Sequence, residues 1–175
     1  MITGELKTKV DGIWDIFWSN GVSNPLTVIE QLTYLMFIKI LDDNETRRER
    51  NAELLGESVA NPIFDADHQN CRWHIFRNYE PDAMYENMVQ NVFPFIKDEL
   101  GSSKDTAFAK YMKDAILVVS NARTLTRIVD KLEEIDLSNK DIMGDVYEYL
   151  LSKQHAFMPD AEQLLRELSS KYRLY

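Results

Sequence analysis

Four side chains of the types that bind zinc recur at three-residue steps in one stretch of the sequence. They are Asp65, His68, Cys71 and His74, and their carboxylate, imidazole and thiolate groups are ligands that zinc accepts. On a helix, however, three-residue steps spread the side chains by about 60° each, and structural zinc sites usually combine two separated pairs of ligands. We therefore favour a polar loop at this position over a metal site.

The tetrapeptide Asn61-Pro62-Ile63-Phe64 is a second candidate site. It is similar to the Asn-Pro-Pro-Phe/Tyr sequence with which amino-methyltransferases hold a flipped adenine, where the aromatic ring stacks on the base. The second proline is missing here, and no Gly-x-Gly occurs anywhere in the chain to form the glycine-rich turn of an S-adenosylmethionine site. We interpret Pro62 as a loop residue that breaks regular structure and Phe64 as a core residue.

Other catalytic signatures are lacking from the sequence. It contains no Gly-x-Ser-x-Gly, phosphate-binding loop, His-Glu-x-x-His or Cys-x-x-Cys motif, each of which would place a nucleophile, a phosphate cradle or a metal. The neighbouring carboxylates Glu133, Glu134 and Asp136 are more simply a solvated helix face than an acid and base pair. We expect no catalysis by this chain alone, and no metal or cofactor bound to it.

The densest group of basic residues could contact a DNA backbone. Its members are Lys39, Arg47, Arg48 and Arg50. The formal charge of the chain is −9 and its isoelectric point is near 4.8, so the averaged field repels phosphate, and a DNA contact must come from a local patch or from a partner. The alternative is a solvated helix face on which these basic residues interleave with Glu45 and Glu49.

The composition is that of one globular domain with a buried core, at 175 residues with 45% hydrophobic and 28% charged residues. The single Cys71 excludes an internal disulfide and the N-terminus has no signal-peptide pattern, which together indicate the reducing cytoplasm. The longest apolar stretches fall short of the roughly 20 residues of a membrane helix, so no membrane contact is expected.

Helical periodicity, with few Gly and Pro, predicts an all-α fold in which a compact bundle surrounds one central apolar helix at about residues 26–42. Asn24 can cap this helix, Pro25 suits its first position and Gly56 offers its end. An apolar stripe at helical spacing predicts an earlier helix that ends near Gly21.

The remaining elements are predicted from breakers and caps. Residues 57–80 form an irregular connection that aromatic side chains anchor to the core, namely Trp73, Phe76 and Tyr79. Pro81 begins a helix that Pro94 bends or breaks. Asn121 caps another helix, and Ser138 to Asp141 begin the helix that contains GDVYEYLLSK. Two further helices are predicted, a short one around Phe108 to Ala115 and an amphipathic one at Leu164, Leu165 and Leu168.

Three segments of the chain together carry a family resemblance. NPLTVIEQLTYLMFIKILDD, YMKDAILVV and above all DIMGDVYEYLLSK resemble the N-terminal helical domain of HsdM, the M subunit of type I restriction-modification systems. The resemblance covers roughly residues 10 to 154. We therefore expect residues 1–153 to form an HsdM-like helical domain and residues 154–175 a divergent C-terminal helical tail.

The resemblance implies a place in a DNA-modifying complex. In this family the helical domain precedes a methyltransferase domain that transfers a methyl group from S-adenosylmethionine to adenine N6. The implied partners are the specificity (S) subunit, which reads the DNA sequence, a second M subunit, the R subunit and DNA itself. The catalytic domain is absent from these 175 residues, so no catalytic or cofactor-binding residue can be carried over from the family.

The resemblance thus implies a non-catalytic role in subunit assembly and in enclosing DNA. In the GDVYEYLL segment, Tyr147, Tyr149 and Leu150 would contact the missing domain or a partner subunit, unless they are ordinary core residues. The alternative function is a truncated, free-standing M-like interaction protein that modulates assembly of a restriction-modification complex.

Overall fold

The structure is a computed structural model that describes residue 2 and residues 4–100 and 112–153. All regular elements in these residues are helical, and no strand occurs among them. The all-α prediction is confirmed. The predicted helix around Phe108 lies largely outside the described residues, as does the whole of the predicted tail at 154–175.

Seven α-helical segments are present in the described residues. They are α1 (Gly4–Ser19), α2 (Pro25–Leu54), α3 (Trp73–Phe76), α4 (Pro81–Asn87), α5 (Phe93–Phe95), α6 (Ala122–Glu133) and α7 (Lys140–Lys153). A 3₁₀ helix, Ala66–Cys71, precedes α3, and wide π-helical turns, Met88–Val92 and Ile96–Leu100, flank α5. None of the described helices has both the length and the apolar character needed to cross a bilayer.

Helix α2 is the centre of the fold, as the sequence predicts. The Asn24 side chain accepts a hydrogen bond from the Leu26 amide at 3.0 Å, Pro25 is the first helical residue, and Gly56 follows the end of the helix with a φ of +68°. All residues from 31 to 42 are buried. The helix therefore has no solvent-facing side over three turns, and its polar side chains must find partners within the protein.

Helix α1 packs against α6 and α7, helix α7 also packs against α2, and helix α6 packs against α4. Helix α6 has one buried face, formed by Leu125, Ile128, Val129 and Leu132. Asn121 caps it by accepting a hydrogen bond from the Thr124 amide at 2.8 Å, and the Thr124 hydroxyl donates to the Asn20 side chain at the end of α1 at 2.9 Å. The Asn121 cap predicted from the sequence is confirmed, and it also ties α6 to α1.

The helix that begins at Pro81 continues to Leu100 instead of breaking at Pro94. Proline has no amide hydrogen, and its ring clashes with the carbonyl four residues earlier in a regular α-helix. That carbonyl belongs to Gln90, which lies within the wide turn Met88–Val92. The wider turn relieves the clash, so the distortion takes the form of π-helical turns and the helical segments continue past Pro94.

An extended segment before α6 is fixed by one glutamine of α2. The buried Gln31 side chain donates to the Ile116 carbonyl at 2.7 Å and accepts from the Val118 amide at 3.0 Å. The Tyr85 hydroxyl donates to the Val119 carbonyl in the same segment at 3.0 Å. Gln31 thereby satisfies both of its polar groups in the core and holds an extended backbone as a neighbouring strand would.

A buried charged cluster fixes the connection between α2 and α4. Arg72 is 4% exposed, and its guanidinium donates to Asp42 at 2.7 Å and to Glu49 at 2.7 and 3.0 Å. The second oxygen of Asp42 accepts from both the amide and the imidazole of His74, at 2.8 and 2.6 Å. The anchored connection that the aromatic residues predict is confirmed, since Trp73 and Phe76 are buried, and Arg72 adds a polar anchor.

Replacing Arg72 with Met should lower the free energy of unfolding by about 3 kcal/mol, because Asp42 would lose its compensating charge while remaining buried. Urea-induced unfolding measures this loss. Arg77→Met is the matched control: its guanidinium pairs with Glu133 at the surface, so the loss should be about 1 kcal/mol at most. Similar small losses in both variants would show that the buried cluster adds little stability.

Candidate nucleic-acid interface

The basic residues predicted to contact DNA are placed in three different environments. Lys39 belongs to the buried part of α2, and its ammonium group lies 3.4 Å from the Asp43 carboxylate. Burial raises the pKa of the Asp43 carboxyl above its usual value, although Lys39 opposes the shift. A lysine held in this way presents little of its charge to a phosphate outside the protein.

Arg48 holds the loop that follows α2 in place. Its guanidinium pairs with the fully buried Glu45 at 2.7 Å and donates to the Ala60 carbonyl at 2.7 Å. The other Glu45 oxygen accepts from the Ile63 amide at 2.9 Å. The alternative interpretation of a solvated helix face does not hold for Glu45, which is buried, and Arg48 is engaged within the fold.

Arg47 and Arg50 remain exposed, and the described parts of the chain offer neither of them a carboxylate within ion-pair distance. They line one side of an open groove of about 470 Å³. The rest of its lining includes Lys39 and four carboxylates, which are those of Asp43, Glu133, Glu134 and Asp136. The groove is therefore of mixed charge, and its acidic side opposes the approach of a phosphate backbone.

The four candidate zinc ligands are engaged in separate contacts. Asp65 pairs with His68 at 2.7 Å, while His74 pairs with Asp42. Cys71 is buried, and desolvation with the nearby Asp65 charge raises the pKa of its thiol to about 12, which disfavours the thiolate that zinc would require. In residues 4–100 and 112–153, no three His, Cys, Asp or Glu side chains come together as metal ligands.

The Asn61 to Phe64 tetrapeptide is part of the loop beside α2. Asn61 adopts a positive φ of +50°, and Phe64 is 2% exposed and stacks on Phe95, with 5.2 Å between ring centroids. The prediction that Phe64 is a core residue is confirmed. The Arg72 guanidinium also lies over the Phe64 ring, 5.7 Å from its centroid, so the ring has no room to stack on a flipped base.

The candidate interface residues of α7 mostly face inward. Tyr147 is 4% exposed and Leu150 is fully buried, so both contribute to the packing of α7. Tyr149 is half-buried, and its hydroxyl donates to Asp11 of α1 at 2.6 Å. The ammonium group of Lys153 lies 5.1 Å from the Tyr149 ring centroid. A role for Tyr149 at a subunit interface stays a prediction.

Two exposed arginines on α6 were not among the sequence-predicted candidates. Arg123 and Arg127 lie four residues apart on the side of α6 opposite its buried face. No hydrogen bond or ion pair to the described residues occupies either guanidinium. The signal was present in the sequence as a basic pair on the polar side of an amphipathic helix, but the denser basic run in α2 outweighed it.

These features define an all-helical domain in which many polar side chains hold the fold together and a few arginines remain exposed. Residues 6–132 match the model of the HsdM N-terminal domain, and the chain belongs to this family. It is also 26% identical over 142 residues to the type I restriction enzyme EcoEI methylase subunit of Escherichia coli, an alignment that covers 75% of this chain and 27% of that protein. The chain thus spans about a quarter of this relative. No solved structure matches it.

Asp11 is the centre of the polar contacts between α1 and α7. Removal from water would raise the pKa of its carboxyl, but the contacts with Lys153, Lys7 and Tyr149 outweigh this and lower the pKa from 3.8 to about 2. The ionised form is therefore favoured by folding. The resulting stabilisation is complete above about pH 4 and disappears as the pH falls through 2.

Asp11→Asn should reduce the free energy of unfolding at pH 7 by about 1 kcal/mol, because these contacts are partly exposed. The difference from the unaltered chain should shrink as the pH falls from about 4 to 2. Urea unfolding at a series of pH values tests this. Asp15→Asn, an exposed substitution on the same helix, should change little, and a pH-independent effect of Asp11→Asn would contradict the electrostatic explanation.

Proposed function

We propose that this chain acts as the non-catalytic helical domain of a type I restriction-modification methylase, contributing to subunit assembly and to the enclosure of DNA. The observation that carries the proposal is the match of residues 6–132 to the HsdM N-terminal domain. The matched range contains helices α2 to α5 and nearly all of α1 and α6, so it covers most of the packed core around α2, to which α7 also contributes. The proposal therefore rests on the helical domain as a whole and does not depend on any single motif.

The catalytic role falls to another part of a complete methylase. The chain corresponds to 27% of its Escherichia coli relative, and the features that an adenine methyltransferase site needs do not fit the residues described. Phe64 is covered by Phe95, and Arg48 and Glu45 bind the loop around Asn61. S-adenosylmethionine and the adenine N6 chemistry would belong to the methyltransferase domain of the longer protein.

The proposed partners are those of a type I system. The specificity subunit, a second methylase subunit and the restriction subunit would contact the surface of the bundle, and DNA would lie against part of it. The relative's name, a methylase subunit of a type I restriction enzyme, supports a place in such a complex. The half-buried Tyr149 and the groove beside Arg47 and Arg50 are the sequence-predicted positions that the fold leaves accessible.

Titration of the purified chain with S-adenosylmethionine should release no stoichiometric heat, because this part of the methylase does not bind the cofactor. The complete Escherichia coli methylase subunit, titrated in the same way, is the positive control. One-to-one binding to the 175-residue chain would overturn the non-catalytic assignment.

The assembly role has a separate test. Mixed with the specificity and methylase subunits of the type I system of its own cell, the chain should co-sediment with them in analytical ultracentrifugation. Tyr149→Glu would place a second carboxylate beside Asp11, so urea unfolding must first show that the variant is folded. The folded variant should co-sediment less if Tyr149 lies at the contact. Failure of the unaltered chain to co-sediment with either subunit would contradict the assembly role.

A further inference from the structure

We propose that Arg123 and Arg127 of α6, here called the α6 arginine pair, form the surface through which this domain contacts the phosphate backbone of DNA. This inference rests on the proposed role in enclosing DNA and assigns that role to residues outside the basic cluster of α2. The arginines of α2 are largely occupied or faced by carboxylates, whereas both guanidinium groups of the α6 arginine pair are exposed.

The spacing of the pair suits a nucleic-acid backbone. Residues four apart lie on the same side of a helix and about 6 Å apart along its axis. Successive phosphates of one DNA strand rise about 3.4 Å along the duplex, so two long arginine side chains at this spacing can each reach a phosphate of one strand. Arginine suits this contact because its planar fork donates two parallel hydrogen bonds to phosphate oxygens.

The pair is also held rigidly. The buried face of α6 consists of side chains that are at most 1% exposed, namely Leu125, Ile128, Val129 and Leu132. The cap at Asn121 and the hydrogen bond from Thr124 to Asn20 fix the beginning of the helix. Binding would therefore order only the arginine side chains, and the partial positive charge at the helix N-terminus would add to their attraction for phosphate.

The charges of α6 are distributed unevenly along its length. Arg123 and Arg127 lie in its first two turns and Asp130 and Glu133 in its last two; Asp130, three residues after Arg127, is exposed on the same side of the helix. Lys131 is paired with Glu134 at 3.1 Å and is not counted with the pair. A protein of net charge −9 repels DNA from most directions, so a local basic end would restrict contact to one orientation.

The experiment compares two double variants of the full chain. Arg123→Gln with Arg127→Gln removes the α6 arginine pair, and Arg47→Gln with Arg50→Gln removes the exposed arginines of α2. Both variants lose two positive charges from the same total, so the averaged field changes equally and only the position differs. Binding to a fluorescently labelled DNA duplex is measured by anisotropy over a series of salt concentrations, and urea unfolding confirms that each variant is folded.

The slope of log K against log salt should fall in magnitude by about 1.8 in the α6 variant, which is about 0.9 for each lost phosphate contact. It should change little in the α2 variant. Arg123→Lys with Arg127→Lys keeps both charges and should restore most of the slope. An unchanged slope in the α6 variant, or equal reductions in both glutamine variants, would overturn the inference while leaving DNA contact by the domain intact.

Absence of salt-dependent DNA binding by the unaltered chain at low ionic strength is a different outcome. It would overturn both the α6 assignment and the DNA-enclosing part of the proposed function. The assembly role, which the co-sedimentation experiment measures, would be unaffected.

Discussion

The structure depends on one constraint, which is that a central helix covered on every side must satisfy its own buried polar groups. Over residues 31–42, α2 has no exposed side chain, and an unpaired polar group in such a position costs several times what a surface contact contributes. Gln31, Asp42 and Glu45 meet this requirement by bonding to three different segments of the surrounding chain. The polar residues of α2 therefore determine where the irregular segments lie.

This constraint also decides which positive charges are left for other molecules. Arg48 and Arg72 neutralise carboxylates of α2 within the fold, and Lys39 is buried beside Asp43. A count of basic residues along the sequence gives these side chains the same weight as exposed ones. The structure separates charges that stabilise the fold from the few that a partner can reach, and Arg123 and Arg127 belong to the second group.

The sequence was sufficient to predict the elements whose signals are local. Asn24 and Asn121 cap the helices they were expected to cap, and the family resemblance is confirmed by residues 6–132. Partners distant in sequence were beyond such reasoning, because nothing near Arg72 indicates a carboxylate 30 residues earlier. The burial of Lys39 could not be predicted for the same reason, because it results from packing around α2 and its neighbours in the sequence do not indicate it.

The bond between Gln31 and the extended segment before α6 has a consequence for sequence variation. The Gln31 side chain bonds only to backbone groups, which are the carbonyl of Ile116 and the amide of Val118. These two residues are 65% and 41% exposed. The position of this segment is thus specified without specifying its outward side chains. Substitutions at these two surface positions should therefore leave the path of the chain unchanged, because a single interior amide holds it.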